Sequence, residues 1–469
     1  MASLIDSLNT LFWGYILIYG LLAVGVYFTL RLGFIQIRYF PEFVRTVFKA
    51  PQSDRGGISP FQALCTSLAS RVGTGNLAGV AVALALGGAG AIFWMWVVAL
   101  IGMATAYAES TLAQLYKVRD QNGQLRGGPA FYISKGLKAP WAGAIFSLAL
   151  ILAFGLVFNA VQANSIAGAM EGAFGVPKMA TGLIVMALAA VVIFGGIKKI
   201  ARFAEITVPF MAIAYLALAL YIIIVNYEQV PAMFALIFKS AFGIEQAAGG
   251  VAGALLNGVK RGLFSNEAGM GSAPNIAAVA TPNPHHPASQ GMVQSLGVFI
   301  DTLLICTATA LMILLSGVLG NGESGIVLTQ SAMSHHIGSV GHYFVAIAIF
   351  FFAFTSIIGN YSYAENALTY LKWASKPGIF VLRILALAMI PWGAYQSVAV
   401  VFNAADAAMG LMATINLIAI VLLSGLVAKL TKDYFAQNKT RTPIFNSDDY
   451  PEVQNDIDLT VWDEKPKQD

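Results

Sequence analysis

Charge is what this 469-residue chain has least of: Asp, Glu, Lys and Arg make up 11% of it, against 58% hydrophobic residues. Soluble domains carry about a quarter charged residues, so the shortage excludes that class and points to lipid as the main solvent. Cysteine is also scarce. Cys65 and Cys306 both fall in apolar stretches, which excludes a disulfide framework, and no CxxC or Cys/His spacing offers a zinc site. No block of Lys and Arg with interleaved aromatics occurs, which argues against nucleic acid as a partner. Residues 1–6 lack the basic region of a cleaved signal peptide, so the run at 11–30 reads as a retained first span. The apolar runs hold no nucleophile–base set, no HExxH and no cluster of His and Asp, so neither an enzyme nor a cofactor is expected.

What remains is long apolar runs, near 11–30, 59–85, 90–116, 141–172, 180–197, 203–226, 243–280, 290–319, 342–360, 384–400 and 406–428. At roughly 20 residues per crossing they make an all-α, polytopic membrane protein of about eleven helices. Basic residues orient it. With the N-terminus outside, 22 of the 27 Lys and Arg fall in connections that face the cytoplasm, as does the C-terminus. Only Lys178 and Lys239 lie on the other side, and Arg71, Lys260 and Arg261 lie within spans. The setting is a cell membrane of bacterial type, multi-pass and surrounded by lipid.

Setting aside the first span leaves ten, and two sets of five start from opposite faces. The chain therefore divides into an N-terminal helix with an interfacial segment (1–58), a first five-helix repeat (59–226), an inverted second repeat (227–432) and a polar cytoplasmic tail (433–469). Residues 36–49 alternate apolar and basic side chains and suit the membrane surface. The tail is expected to be mobile and outside the transport core.

Two places break the helical pattern. Gly73-Thr-Gly-Asn76 and Gly269-Met-Gly-Ser272 each interrupt the opening span of a half. Glycine pairs loosen a helix, and unpaired backbone in hydrocarbon persists where it lines a cavity. Matched breaks in two inverted halves point to the binding site of a secondary transporter. A helix starting near Gly73–Gly75 directs its free amides into the site, where they suit a carboxylate. Carbonyls from Ala69 to Val72 suit Na⁺, and Asn76 adds a side-chain oxygen. In the second break Phe264 walls the pocket, while Ser265, Asn266 and exposed carbonyls receive an ammonium. Close helix packing by small residues is the competing reading for Gly73, Gly75 and Gly79.

Glu267, near mid-span, needs a partner, with Arg71, Lys260 and Arg261 as candidates; an Arg71–Glu267 pair joining the repeats is favoured over direct contact of Arg71 with substrate. Gln162 is placed to floor the pocket and limit substrate size, while Asn159 and Asn164 tie helices together. Glu109 and Asp301 are ion or proton ligands or, more simply, paired structural carboxylates. Tyr361, Tyr363 and Trp392 are gates or packing aromatics. The pairs His285-His286 and His335-His336 read as ordinary loop histidines.

Ser59-Pro-Phe-Gln-Ala-Leu-Cys-Thr-Ser-Leu-Ala-Ser-Arg-Val-Gly-Thr-Gly-Asn-Leu-Ala-Gly-Val80, Arg126-Gly-Gly-Pro-Ala-Phe-Tyr132 and Arg261-Gly-Leu-Phe-Ser-Asn-Glu-Ala-Gly-Met-Gly-Ser-Ala-Pro274 resemble the alanine or glycine:cation symporter family. The resemblance spans residues 10 to 430. It implies the five-plus-five inverted-repeat fold of LeuT-type amino-acid carriers and uptake of alanine or glycine with Na⁺, or with H⁺ in some members. It further implies that residues 72–76 hold the substrate carboxylate, with amides near Thr74 and Gly75 as donors, and that Phe264 to Asn266 hold the ammonium. It also implies a Na⁺ site made by the Ala69 and Val72 carbonyls with the hydroxyls of Thr355 and Ser356. A passive channel would instead need a continuous polar lining, which the pattern lacks.

Overall fold

A chain in hydrocarbon has to bond its own backbone, and the apolar runs accordingly wind into helices with almost no strand. The computed structural model describes residues 2–48, 57–243 and 250–462. Among these, eight helices are long and apolar enough to cross a membrane. They are Ile5–Arg31, Gly90–Leu115, Pro140–Phe174, Gly196–Val225, Pro287–Ser316, Val340–Tyr370, Lys376–Tyr395 and Val398–Leu422. Pro60–Arg71 and Gly75–Gly87, bent by 51° at their junction, form a ninth if counted together. Two further expected spans are shorter. Lys178–Ile193 has 16 residues and Gly250–Asn266 has 17, so length and apolarity alone do not reproduce eleven. Residues 244–249, within the expected span 243–280, lie outside the described residues. The helix Val230–Ala241, too short to be read as a span, connects the halves and sets Phe238 against Phe93 with ring centres 5.5 Å apart.

Caps fix where several helices begin and end. Ser59 opens the first broken span with a capping box: its hydroxyl accepts from Gln62 N at 3.1 Å, and its own amide donates to Gln62 Oε1 at 3.1 Å. Residues 36–48 form two short helices, Ile35–Arg38 and Phe40–Phe48, whose Phe43 and Val47 are buried while Ile37 and Phe48 are exposed. One set of apolar side chains thus faces the protein and another faces outward. Gly90–Leu115 is deeply packed, buried on all sides from Gly102 to Leu115. It runs beside Pro287–Ser316, and the long helix Val340–Tyr370 closes the other flank of the broken spans.

On the face read as cytoplasmic, the start of the first broken span meets the end of the second. Ile58 N donates to Val279 O at 3.2 Å, and Thr281 N donates to Ile58 O at 2.9 Å. The tail covers this junction instead of hanging free. Phe445, Tyr450, Val453, Ile457, Val461 and Trp462 are buried, Phe445 N donates to His285 O at 2.9 Å, and Trp462 Nε1 donates to Leu115 O at 3.3 Å. Lys117 sits 4.6 Å above the Trp462 ring, and Lys429 pairs with Glu452 at 2.7 Å. The expected mobility is corrected on a physical ground: apolar side chains recur every few residues through the polar tail and give it a face to bury.

Candidate functional site

The inner half of the first broken span ends at Arg71, and Val72 leaves helical geometry with ψ 87°. The chain resumes at Thr74 and continues as a wide π-turn over Gly75–Gly79 before regular helix returns. This break closes on itself and on neighbouring helices. Gly73 N donates to Asn76 Oδ1 at 2.9 Å, and Thr74 N donates to Gln162 Oε1 at 2.9 Å. A Cβ on Gly73 would collide with Ser356 Oγ and lie 2.8 Å from Gln162 Oε1. The break, Gln162 and Ser356 are therefore in mutual contact. Thr74 Oγ1 is buried without a hydrogen-bond partner.

The second broken span stops at Asn266. Glu267, Gly269 and Gly271 all take left-handed φ values, 58°, 88° and 83°, before one helical turn at Pro274–Ala277. Helix Gly90–Leu115 and helix Val398–Leu422 hold this loop from outside. Gly269 N donates to Glu109 Oε1 at 3.2 Å; Asn416 Nδ2 donates to Glu109 Oε2 at 2.7 Å and to Gly269 O at 3.0 Å. Glu267 accepts from Ser70 Oγ at 2.9 Å and from Ser272 Oγ at 2.5 Å, which joins the two breaks.

Direct packing brings the breaks together as well. A Cβ on Gly75 would lie 3.0 Å from Ser265 Cα and 3.2 Å from the Phe264 ring. Phe264 stacks on Phe158 at 4.9 Å and leans on Phe402 at 5.4 Å. Asp301, fully buried in a π-helical stretch of Pro287–Ser316, links both sides. It accepts from Asn76 Nδ2 at 2.7 Å and from Ser265 Oγ at 2.8 Å. Asn266 Oδ1 accepts from Ala268 N at 3.0 Å, and Asn266 Nδ2 is buried without a partner. Ser70 lies against Gly359, with its hydroxyl oxygen 2.6 Å from Asn360 Oδ1. That contact sets the end of the inner half-helix, with Ala69 and Val72, beside the helix that bears Thr355 and Ser356. Both hydroxyls donate to Phe352 O, at 2.9 and 3.0 Å. A recess of about 140 Å³ with mixed polar and apolar lining, beside Ala78, Asn164, Gln396 and Phe402, opens on the opposite side from the tail.

A family model described as the sodium:alanine symporter family matches residues 1–447. The chain belongs to that family. It is similar to the probable sodium/glutamine symporter GlnT of Bacillus subtilis (strain 168), 51% identical over 94% of this chain and 92% of that one. The amino-acid carrier protein AlsT of the same organism is 48% identical over 99% of this chain and 98% of its own. Among solved structures, MhsT in complex with L-phenylalanine matches with a TM-score of 0.57 at 15% identity, covering 87% of this chain and 96% of that one. That likeness shows the fold alone, the LeuT-type fold; membership of the family is what makes the chain a multi-pass transporter and not an enzyme.

In this member of the family, the expected substrate residues Thr74, Gly75, Asn76, Gln162, Phe264, Ser265 and Asn266 come together around the two breaks. Some side-chain pairings differ from those expected. Arg71 and Glu267 form no ion pair: Arg71 donates to Gln294 O at 3.1 Å, and Glu267 is held by serine hydroxyls. Arg261 and Lys260 turn to Asp406, Arg261 Nη2 at 2.5 Å and Lys260 Nζ at 3.8 Å. Asp406 was missed, although an acidic residue opening an apolar span is itself a signal. Asn416 and Gln294 were missed too, and their amides gave no periodic sign. Asn164 bonds Gly393 O and Gln396 O, and Asn159 Oδ1 accepts from Asn360 Nδ2, so both tie helices as expected. His286 is no ordinary loop histidine: it is buried against Asp433, 3.3 Å away. Nor are His335 and His336 in a loop, since both end helix Gly325–Ile337.

Proposed function

We propose that this chain is a Na⁺-coupled symporter that imports alanine, glycine or both by alternating access. The observation that carries the reading is the contact of two oppositely placed helix breaks at the buried centre, where Gly75 meets Phe264 and Ser265. The substrate carboxylate replaces Gln162 Oε1 at the Thr74 amide, where the start of the outer half-helix favours negative charge. The ammonium faces the Phe264–Asn266 turn. In this reading Gln162 and Phe264 bound the pocket and limit the substrate side chain to a hydrogen or a methyl. Na⁺ lies between the Ala69 and Val72 carbonyls and the hydroxyls of Thr355 and Ser356, whose oxygens keep lone pairs free while donating to Phe352 O. Ion and substrate then stabilise the same turn, and each raises the other's affinity.

The test is alanine uptake into proteoliposomes with and without an inward Na⁺ gradient. We expect the gradient to drive accumulation; equal rates would remove Na⁺ coupling, and uptake that follows a proton gradient instead would assign H⁺. In Ser356→Ala the Na⁺ concentration for half-maximal uptake should rise about tenfold, with expression unchanged. The name of the relative GlnT raises glutamine as a second substrate reading. Competition separates the two: unlabelled glycine should block alanine uptake and glutamine should not.

A further inference from the structure

We propose that the C-terminal tail is an autoinhibitory clasp. Docked on the face read as cytoplasmic, it holds that side of the molecule shut, and Trp462 must leave its seat before the side opens. The proposal rests on the alternating-access reading above and adds to it a control that the two helix breaks do not supply. The family match ends at residue 447, short of the segment that makes the clasp.

Helix packing defines what such a clasp restrains. Gly250–Asn266 and Pro287–Ser316 both pack along Gly90–Leu115, making one group. Val340–Tyr370 and Lys376–Tyr395 both pack along Pro140–Phe174, making a second. The inner half of the first broken span lies between them, against Val340–Tyr370 on one side and Pro287–Ser316 on the other. A path from the breaks to the tail side opens only if the two groups part there. The bonds between Ile58 and Val279 and between Thr281 and Ile58 lie at that seam.

The tail reaches across the two groups. It is rooted in helix Ser424–Gln437, which continues Val398–Leu422, a helix packed on Pro140–Phe174. There Glu452 pairs with Lys429 at 2.7 Å, and the Tyr450 hydroxyl donates to Asp433 at 3.0 Å. Asp456 pairs with Lys138, just ahead of Pro140–Phe174 in the second group. The far end is seated on the first group. Trp462 Nε1 donates at 3.3 Å to the carbonyl of Leu115, the last residue of its helix, and Arg119 N donates to Asp458 Oδ2 at 3.2 Å. His285, in the loop after the second broken span, accepts from Phe445 N and sets its ring 5.2 Å from that of Trp462.

Lys117 connects the Trp462 seat to the seam itself. Its Nζ lies 4.6 Å over the Trp462 ring and donates to Gln114 Oε1 at 2.8 Å and to Ala280 O at 3.3 Å. Gln114 Nε2 in turn donates to Ala280 O at 2.9 Å. Ala280 directly follows Val279, so undocking Trp462 loosens the cluster that holds the end of the second broken span. Docking of this kind is reversible. The tail winds only into the short turns Ser447–Asp449 and Leu459–Trp462, and its ion pairs are partly exposed and contribute little. A few apolar anchors carry it, which puts local release well below the cost of global unfolding. Contacts made only in the shut state favour that state by their own free energy.

The experiment places a cysteine at the seam, Val279→Cys, where the native side chain is 3% exposed. Its alkylation by a hydrophilic maleimide is followed in the purified full chain, with the unsubstituted chain giving the background from the buried Cys65 and Cys306. Alanine uptake into proteoliposomes and melting temperature are read on the same proteins. Adding Trp462→Ala should speed alkylation about tenfold and raise the maximal rate of uptake severalfold, with a slightly lower melting temperature. A chain ending at Ser447 should show both effects more strongly; if it fails to fold, Trp462→Ala decides alone. Unchanged alkylation overturns the proposal, and so does faster alkylation with no gain in uptake. Uptake that falls in step with melting temperature also overturns it, since a tail that merely stabilises the fold behaves that way. Alkylation that quickens while the wild type itself takes up no alanine would instead overturn the symport reading.

Discussion

The two broken spans are built in different ways. The first bends by 51° and resumes winding within three residues, so its break is a matter of space: Gly73 and Gly75 let Ser356, Gln162 and Ser265 approach the backbone. The second is a matter of backbone conformation, with three residues at left-handed φ and a network from Glu109 and Asn416 holding them. A space-dependent break can change shape with little backbone cost. A break fixed by left-handed residues and buried carboxylates is stiffer. The first break is therefore the one expected to move with substrate and ion, and the second the wall against which it moves.

Substitutions at the glycines break that comparison most severely. Gly271→Ala forces a Cβ into the left-handed region and against Phe146, Asn416 and Pro129, each within 2.9 Å. The left-handed conformation costs about 1–2 kcal/mol and overpacking about 1–3 more. We expect a marked loss of thermal stability and of folded protein. Gly73→Ala meets the ends of two side chains, Ser356 and Gln162, so the chain should fold with a near-normal melting temperature while alanine uptake falls about 100-fold. Equal stability losses in the two variants would erase the distinction.

The contrast between the breaks was half legible in the sequence. Glycine pairs inside apolar runs located both breaks, and apolar length placed most spans, because both signals are local. Pairings between distant elements were not legible. Arg261 and Asp406 are 145 residues apart, and nothing near Arg261 distinguishes Asp406 from Glu267 as its partner. Charge invited an Arg71–Glu267 pair, but Ser70 and Ser272 reach Glu267 first. The tail misled for another reason: mean polarity hid the spaced Phe445, Tyr450, Val453, Ile457 and Trp462 that pack it onto the core.

Asn416→Ala sharpens the comparison more gently. It removes the donor that Glu109 Oε2 and Gly269 O share, leaving buried acceptors of the second break unpaired. The expected cost is about 1–3 kcal/mol, read as a lower melting temperature. Because the first break is untouched, the Na⁺ concentration for half-maximal uptake should stay at its wild-type value. A shift in Na⁺ dependence as large as that of Ser356→Ala would show that the second break is not a passive wall.

The smallest effect concerns the tail that covers the junction of the two broken spans. Burial holds the His286 imidazole below its ordinary range, with Asp433 partly opposing that shift. Burial also works to raise the Asp433 carboxyl, but hydrogen bonds from His286, Gln437 and Tyr450 outweigh it and bring it down to about 2. Both groups are depressed, so each stabilises the docked tail above its free value and loses that contribution as pH falls. For His286 the loss starts below about pH 6.5, and for Asp433 only below about pH 4. Acidification from 7.5 to 5.5 should therefore loosen the tail through His286 and leave the Asp433 contribution in place. Fluorine NMR of fluorotryptophan-labelled protein, with the Trp462 signal assigned by Trp462→Phe, should show an undocked resonance growing over that interval. His286→Phe keeps the contacts with the Tyr434 and Phe445 rings and lacks the titrating nitrogen, so its tail signal should hold steady with pH. If the Trp462 signal of that variant shifts with pH as the wild type's does, the clasp titrates elsewhere.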